Sequence, residues 1–581
     1  MPGPDEFVQR AVHAMEEGGL AIWIKHVLVV TAIVALAIYY LWPGHFRGLA
    51  TSQAMDQAQI GRAIASGQGW RTKFIRPRAI GQLQGHGKNV VQQIWYDTYN
   101  APLPPLVDAL ALLPVKAHWQ MSIRDPVYTG DRAIAVMSIF LFLCSVAVLF
   151  FTARRLFDRQ LALLACGLVL LCDMMWRYSL SGLPQMLLLL LFNLTIYILV
   201  RAIEKHFAGN SVLLLMIAAG LAFGLLALTH ALTIWIFFPV LIISFFLFRP
   251  RIWAGMLMLC AFMVSYLPWL IRNYSICGNP AGVAIYSVLG GIGQSEPGLM
   301  RRVGLDLTIV VPGAFRDKIV PNFVGQAGHI FEHFGLSIVA VVFFVSLLYP
   351  FKRRETALFR WILFAMWGGA VLGMSIYGIN EELGVAANQL HLLFVPLMTC
   401  YGLAYLLVQW NRLEVGIPFA RAGFIALLYL LCALPMILNI PWLTAPKGIV
   451  RWPPYLPAAI SVLHNWMKPT EITGSDMPWA VAWYADRPGL WLPETPTNFI
   501  YLSDYRIIGA PINGLYLTPI SSTENKFGDI VNGEYRAWAA VIGRYHALNG
   551  FPLKWETVSL GLQNECIFFS DHDREHASPT R

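Results

Sequence analysis

Residues 132–155 read RAIAVMSIFLFLCSVAVLFFTARR, an unbroken apolar stretch closed at its end by Arg154 and Arg155. A hydrocarbon layer about 30 Å thick takes about 20 apolar residues as helix, so this stretch has the length and composition of a membrane span. Working outward, similar runs lie near 22–42, 159–176, 183–201, 211–228, 231–248, 253–271, 334–350, 357–377, 389–408 and 421–439, which with 132–152 makes eleven. Hydrophobic residues are 57% of the 581, charged residues 13%, and the mean hydropathy is +0.56. No soluble core of this size hides that much apolar surface, so lipid must cover the rest.

Basic residues follow every second run: Arg154, Arg155 and Arg159; Arg201 and Lys205; Arg249 and Arg251; Lys352, Arg353 and Arg354; Arg412. Short loops on the other side are nearly bare, with Glu381 and Glu382 in one of them. Lys and Arg collect on the cytoplasmic side. This pattern puts the N-terminus inside and the long segments 43–131, 272–333 and 440–581 outside. The net charge of +9 then reflects topology and contact with anionic lipid heads, and nucleic acid is not an expected partner. The first run is too long for a cleaved signal and reads as a retained anchor.

The expected fold class is an all-α polytopic membrane bundle of about eleven transmembrane helices with a soluble C-terminal α/β domain. Residues 1–439 form the membrane domain and 440–581 the external one, with strand-like stretches at Trp479–Trp483, Gly489–Leu492 and Phe499–Leu502. The loop 43–131 carries two helix-like stretches, 53–66 and 102–114; the first has a sided apolar pattern suited to lying along the membrane interface. Six of the eight cysteines fall inside spans, where a thiol serves as a small hydrophobe; Cys277 and Cys566 lie outside and are candidates to pair. No zinc or haem spacing, catalytic triad, phosphate-binding loop or dinucleotide fingerprint occurs, so no metal and no cofactor is expected. No internal repeat is visible, and the spans hold few buried charges, which weighs against a transporter.

Five local patterns recur together. An acid opens the first external loop, Asp56, and a helix follows it through Ile60 and Ile64 to Ser66, Gly67 and Gly69. A proline cluster leads an apolar helix at Pro102, Pro104, Pro105 and Leu106; the second run ends in Arg154–Phe157; the seventh ends Pro268-Trp269-Leu270-Ile271-Arg272-Asn273-Tyr274, with Gly278, Asn279 and Pro280 behind it. Over roughly residues 20–410 these resemble the GT-C glycosyltransferases that use polyprenyl-phosphate sugars, in the branch of protein O-mannosyltransferases and lipid A aminoarabinose transferases. The resemblance implies a bacterial inner-membrane, multi-pass enzyme with a periplasmic C-terminal domain. It would move a sugar by inverting displacement from an undecaprenyl-phosphate donor to a periplasmic lipid, glycan or protein. Several positions depart from that pattern. Met55 and Gln57 flank Asp56 in place of an acid pair, Asn100 and Ala101 or Leu103 precede the prolines where a Lys or Arg is common, Pro184 and Gln185 replace an acid, and Gln389-Leu390 replaces an Arg-Tyr pair beside His391. These changes keep open a second reading, a catalytically silent relative that serves as scaffold or subunit of a membrane complex.

Transfer from a lipid phosphate needs a base for the acceptor hydroxyl and cations for the leaving phosphate. Asp56 is the expected base, and Asp97 in Trp95-Tyr96-Asp97-Thr98-Tyr99-Asn100 a second acid that shares that role or binds acceptor; the plainer readings are a cap or first-turn acid and a turn Asp. Phosphate candidates are Arg272, Arg76, Arg78, Lys88, His391 and His230. Arg272 suits phosphate by its planar fork, although an Arg at a span end also snorkels to lipid. The cation-rich segment Arg71–Lys88 either closes over a donor or rests on the membrane surface. Asp173 and Arg177 are read as an i,i+4 ion pair.

Overall fold

The computed structural model describes residues 19–574 except 43–45, 50, 88–94, 123–124, 126, 293–294, 305–310, 383, 415–416, 418, 440–456, 506, 519–532, 543–550 and 558–566. The chain forms two compact units, Met1–Arg47 and Gly48–Arg581. Among its described residues the first holds one helix, α1 (Gly19–Leu41), which covers the first expected span.

In the second unit the helices used below are α2 (Ser52–Ala65), α3 (Pro77–Gly85), α4 (Leu103–Leu112), α5 (Thr129–Leu156), α6 (Arg159–Leu170), α7 (Asp173–Leu180), α8 (Gln185–Phe207), α9 (Leu213–Thr229), α10 (Ile234–Leu247), α11 (Arg251–Cys277), α12 (Pro312–Gly328), α13 (Ile338–Ser346), α14 (Arg354–Tyr377), α15 (His391–Arg412), α16 (Ala420–Leu438) and α17 (Pro496–Asp504). Six of them, α5, α8, α11, α14, α15 and α16, are long and apolar enough to cross a membrane.

The other expected spans are shorter or broken. The third is the pair α6 and α7, bent by 57°. At the break the Leu170 carbonyl, one of those a helix end leaves without a partner, accepts from Trp176 Nε1 at 2.8 Å. The eighth is only the nine residues of α13, about 14 Å of helix. The carbonyl of Ser346 at its end accepts from Arg360 Nη1 at 2.8 Å. Helix α5 places Asp131 in its first turn and Arg154 and Arg155 in its last, as the helix dipole favours. Three of the basic loops meet at that end: Arg353 Nη1 donates to Arg155 O at 2.8 Å and Arg155 pairs with Glu204 at 2.9 Å. The expected pair of Asp173 and Arg177 is present at 3.3 Å, and Asn439 Nδ2 adds a bond to Asp173.

The first expected interfacial helix, α2, is instead interior: every residue from Ala54 to Arg62 is buried. Its cap is Thr51, whose hydroxyl accepts from Ala54 N at 3.1 Å, so Ser52 stands inside the helix and Asp56 beyond its first turn. One flank meets α4 at Gly61, where any Cβ would stand 2.8 Å from Asp108 Cβ. On another, Arg62 donates to Ala482 O (2.7 Å) and Trp483 O (2.8 Å) and pairs with Asp486 at 2.8 Å. Buried polar contacts of this kind hold a helix inside the protein and off the lipid surface.

Two of the three strand-like stretches also differ. Residues 478–485 coil as a short α-turn and a π-turn, since Pro478 starts a helical turn with its fixed φ and Asp486 ends it in the left-handed region (φ 55°). Phe499–Leu502 lies in α17, begun by Thr495 as cap and Pro496 behind it. Gly489–Trp491 is a strand, β5, in a six-stranded mixed sheet. Its order is β1 (Phe74–Ile75), β5, β4 (Ile472–Ser475), β6 (Ile512–Leu517), β8 (Ile567–Ser570) and β7 (Trp555–Thr557). β1 comes from the first loop and pairs parallel with β5, Phe74 opposite Gly489 and Ile75 opposite Leu490. Ile75, Ile80 and Trp95 therefore share one core with Leu490, Phe499, Leu515 and Trp538. The 43–131 loop and the C-terminal segment are thereby tied into one body. A two-stranded hairpin, β2 (Glu381–Glu382) and β3 (Val385–Ala386), joins α14 to α15.

Candidate active site

A cavity of about 390 Å³ opens where the start of α2, the Phe74–Arg76 strand exit, the Tyr99–Asn100 turn, the hairpin and the sheet converge. Asp56 stands directly behind its wall, fully buried. Its Oδ2 accepts from Arg76 Nη2 and from Asn100 Nδ2, both at 2.6 Å, and its Oδ1 accepts from Gln59 Nε2 at 3.1 Å. Arg76 and Asn100 themselves line the cavity. The Arg76 guanidinium lies between the rings of Phe74 (4.0 Å) and Tyr99 (3.9 Å), a cation–π sandwich that fixes its plane. Burial opposes its charge, but Asp56, Tyr99 and Asp97 together raise its pKa.

Asp97 meets the same network through Asn100. Its carboxylate accepts from Asn100 N at 2.9 Å and Tyr99 N at 3.3 Å, an Asx turn, and Asn100 Nδ2 lies 3.4 Å from its Oδ1. Asn100 thus bridges the two acids. Burial, then the Asp56 charge, pushes the Asp97 carboxyl up to about 6, against the pull of Arg76 and Arg272. The turn explains Asp97 locally, and its placement beside Asp56 is the added fact.

The phosphate candidates separate. Arg76 and His230 line the cavity; Arg78, Arg272 and His391 do not. Arg78 donates to Val303 O at 2.9 Å and lies over Tyr286. Arg272 donates to the carbonyl of Asp97 and to Asn273 Oδ1 (2.8 Å) and covers Trp269, so it braces the acid-bearing turn from behind. His391 is buried in the bundle, its Nδ1 accepting from Trp367 Nε1 (3.0 Å) and its Nε2 facing Gln326 Oε1 (3.1 Å). Burial holds the His230 imidazole down to about 4, neutral at ordinary pH, and its Nδ1 accepts from Leu232 N. Lys88 lies outside the described residues, as does Cys566; Cys277 is buried and its thiol faces Asn273 O at 3.3 Å. Within the segment Arg71–Lys88, Lys73 pairs with Asp486 at 2.6 Å and Arg76 and Arg78 turn inward, while Gln84 to Gly87 are exposed.

Two acids of the cavity, Glu296 and Glu382, escaped the sequence reading. Glu382 Oε1 accepts from Ser52 Oγ and its Oε2 from Ser52 N, both at 2.8 Å, which ties the hairpin to the start of α2. Glu296 Oε1 accepts from Tyr99 OH at 2.8 Å and Ser287 Oγ at 2.5 Å. Trp479, Trp491 and Tyr535 form an aromatic wall, with Trp491 Nε1 donating to Tyr535 OH at 3.2 Å. Ser52 and Glu382 lie 330 positions apart, and no local spacing signals their contact. Among the described residues no group of three or more His, Cys, Asp or Glu side chains is placed to hold a metal ion.

Residues 118–271 match a family model described as dolichyl-phosphate-mannose-protein mannosyltransferase. No curated protein sequence matches the chain. Solved structures do. An oligosaccharyltransferase of Archaeoglobus fulgidus, in complex with Zn and sulfate, is 12% identical over 88% of this chain and 70% of its own, with a TM-score of 0.52. The oligosaccharyltransferase AglB of the same organism, in complex with an inhibitory peptide and a dolichol-phosphate, is 12% identical over 89% and 72%, TM-score 0.52. ArnT from Cupriavidus metallidurans in the apo state is 12% identical over 96% and 100%, TM-score 0.51. At that identity the likeness is one of fold. In fold over most of its length, and in sequence over residues 118–271, the chain resembles the GT-C membrane glycosyltransferases.

Proposed function

We propose that the protein is an inverting membrane glycosyltransferase that moves a sugar from a polyprenyl-phosphate donor, undecaprenyl phosphate in a bacterial inner membrane, to a periplasmic lipid, glycan or protein. The observation that carries this reading is the buried pair of Asp56 and Arg76 at the wall of the large cavity, an acid and a phosphate-binding fork held 2.6 Å apart. The fold likeness, the matched segment and a dolichol-phosphate in the related AglB structure support it. In this account the long apolar helices cross the membrane, the N-terminus is cytoplasmic and the C-terminal part periplasmic. No cofactor is required, since the lipid-linked sugar is itself the co-substrate.

The chemistry follows from the pair. A donor phosphate entering the cavity offers Arg76 oxygens at which its fork binds two-fold. As Arg76 turns to the phosphate, the Asp56 carboxylate is released from the ion pair and is left to accept a proton. The acceptor O–H gives its proton to Asp56, the oxygen attacks the anomeric carbon, and the bond from that carbon to the phosphate oxygen breaks. The lipid phosphate leaves with the bonding pair, stabilised by Arg76. The aromatic wall of Trp479, Trp491 and Tyr535 supplies faces on which a sugar ring stacks.

One observation favours the second reading, a silent scaffold. Among the described lining residues Arg76 is the one cationic side chain once His230 is neutral, against Glu296, Glu382 and Glu534. Binding of undecaprenyl phosphate to the purified full chain, read by native mass spectrometry, separates the two. The transferase reading expects saturable binding that Arg76→Gln weakens by tenfold or more, while equal binding by wild type and variant moves the weight to the scaffold.

A further inference from the structure

Helix α4 runs on into a 3₁₀ turn, Leu113–His118, in which no residue is buried. The turn lies against α5, one of the helices long enough to cross a membrane. Leu110 and Leu113 are 60% and 48% exposed. Lys116 and His118 follow them, both exposed, and then a half-buried Trp119. Bare leucines beside a crossing helix, succeeded by a lysine and a tryptophan, match the order of a bilayer, acyl chains first and headgroups above them.

Lys116 and Trp119 also line a cleft of about 800 Å³, within the range of small-molecule sites. Gln120 extends their side of it, while His464 and Asn465 come from the C-terminal part. The two segments meet where Gln120 Nε2 lies 3.4 Å from His464 Nε2. His464 Nδ1 faces Ala485 O at 2.9 Å, which keeps its proton there and leaves Nε2 to accept from Gln120.

Charge decides what this cleft takes. The one acid among its described lining residues, Asp486, is met at Oδ1 by both Arg62 (2.8 Å) and Lys73 (2.6 Å). Asp125, on the same loop as Gln120, is turned to Ser122 N at 3.0 Å. Among the described residues Lys116 has no acidic partner; its ammonium stands 5.8 Å from the Trp119 ring. The exposed side-chain amide of Asn465 likewise bonds no described residue. An unpaired ammonium and a free amide in a positive cleft suit phosphate oxygens. A soluble phosphate offers the same oxygens, but it brings nothing to cover Leu110 and Leu113.

We propose that the cleft seats the headgroup of an anionic phospholipid, its phosphate on Lys116, its head alcohol toward Asn465 and its acyl chains along Leu110 and Leu113. The lipid joins the first-loop segment to the C-terminal part at the membrane surface. The seat is separate from the large cavity and stands independently of the glycosyl-transfer reading.

The test is native mass spectrometry of the full chain released from nanodiscs of equal parts phosphatidylglycerol and phosphatidylcholine, counting retained lipids. Wild type is expected to keep at least one phosphatidylglycerol that Lys116→Gln loses. Lys352→Gln removes the same charge from an exposed lysine of another loop and should retain the wild-type number. Asn465→Ala should lower the fraction of protein carrying that lipid by about threefold or more. Lys116 and Asn465 are both exposed, so neither replacement unsettles the fold. Equal retention by wild type and Lys116→Gln, or the same loss from Lys352→Gln, overturns the proposal. So does an Asn465→Ala chain that matches wild type, which puts the lipid outside the cleft. Displacement of the lipid by inorganic phosphate assigns the cleft to a soluble anion and overturns it as well.

Discussion

Replacing Arg76 by Met tests the central pair by its energetics alone. Met keeps an unbranched apolar stem between the Phe74 and Tyr99 rings, so packing changes little. What disappears is the counter-charge of an acid that is fully buried, leaving Asp56 with only Asn100 and Gln59 as donors. Breaking a buried ion pair from one side costs about 3–5 kcal/mol, since the remaining charge stays desolvated. Asp56→Asn strands Arg76 in the same way. The double variant removes both charges and is expected to cost less than Arg76→Met alone, giving a coupling of about 3 kcal/mol in a double-mutant cycle. Unfolding in detergent, followed by circular dichroism, measures all four corners. Additive effects of the two substitutions, or an Arg76→Met cost below about 1 kcal/mol, would refute the reasoning, because an exposed or absent pair behaves that way.

Two further outcomes follow from the same geometry. Asp97 binds its proton more tightly folded than unfolded, so its own contribution to stability is largest in acid and falls as pH rises from the ordinary 3.8 to about 6, then levels. Asp97→Asn keeps an acceptor for the turn but cannot ionise; its stability relative to wild type should rise by about 3 kcal/mol across that window, as measured by unfolding below and above it. Gly61→Val drives methyls into Asp108 Cβ and Pro105 O, at 2.8 and 3.0 Å from even a bare Cβ, and should destabilise by about 1–3 kcal/mol in the same unfolding assay.

The legible part of this fold is the part dictated by solvent. Apolar runs and the arginines that close them are properties of single segments, and the helices from α5 to α16, apart from α12, lie where those runs predict, with Arg155, Glu204 and Arg353 gathered at one end. What was not legible depends on partners far along the chain. The carbonyl at the bend after Leu170 is satisfied by the Trp176 indole, and α2 is held inside where Arg62 finds carbonyls some 420 residues away. The two-residue strand β1 exists only through its pairing with β5. Aromatic density made residues 479–483 look like a strand, although Pro478 offered a local sign of a helical start. At the site, Asp56 was singled out by its place after the first span, and Arg76 by its charge among neighbours in the same segment. Arg272, favoured for its planar fork, and Arg78 are bonded to backbone carbonyls, which no local spacing signals. Glu296 and Glu382 carried no signal, for their meaning lies in contacts with Tyr99 and Ser52.

The most direct test of the account is a comparison of sugar-bearing lipids, glycans and periplasmic proteins by mass spectrometry in three strains: wild type, a deletion, and the deletion carrying Asp56→Asn at wild-type protein level. The account predicts one sugar addition present in wild type and missing from both others, which also identifies the acceptor. A full set of sugar additions in the Asp56→Asn strain, or no difference between deletion and wild type, would contradict it.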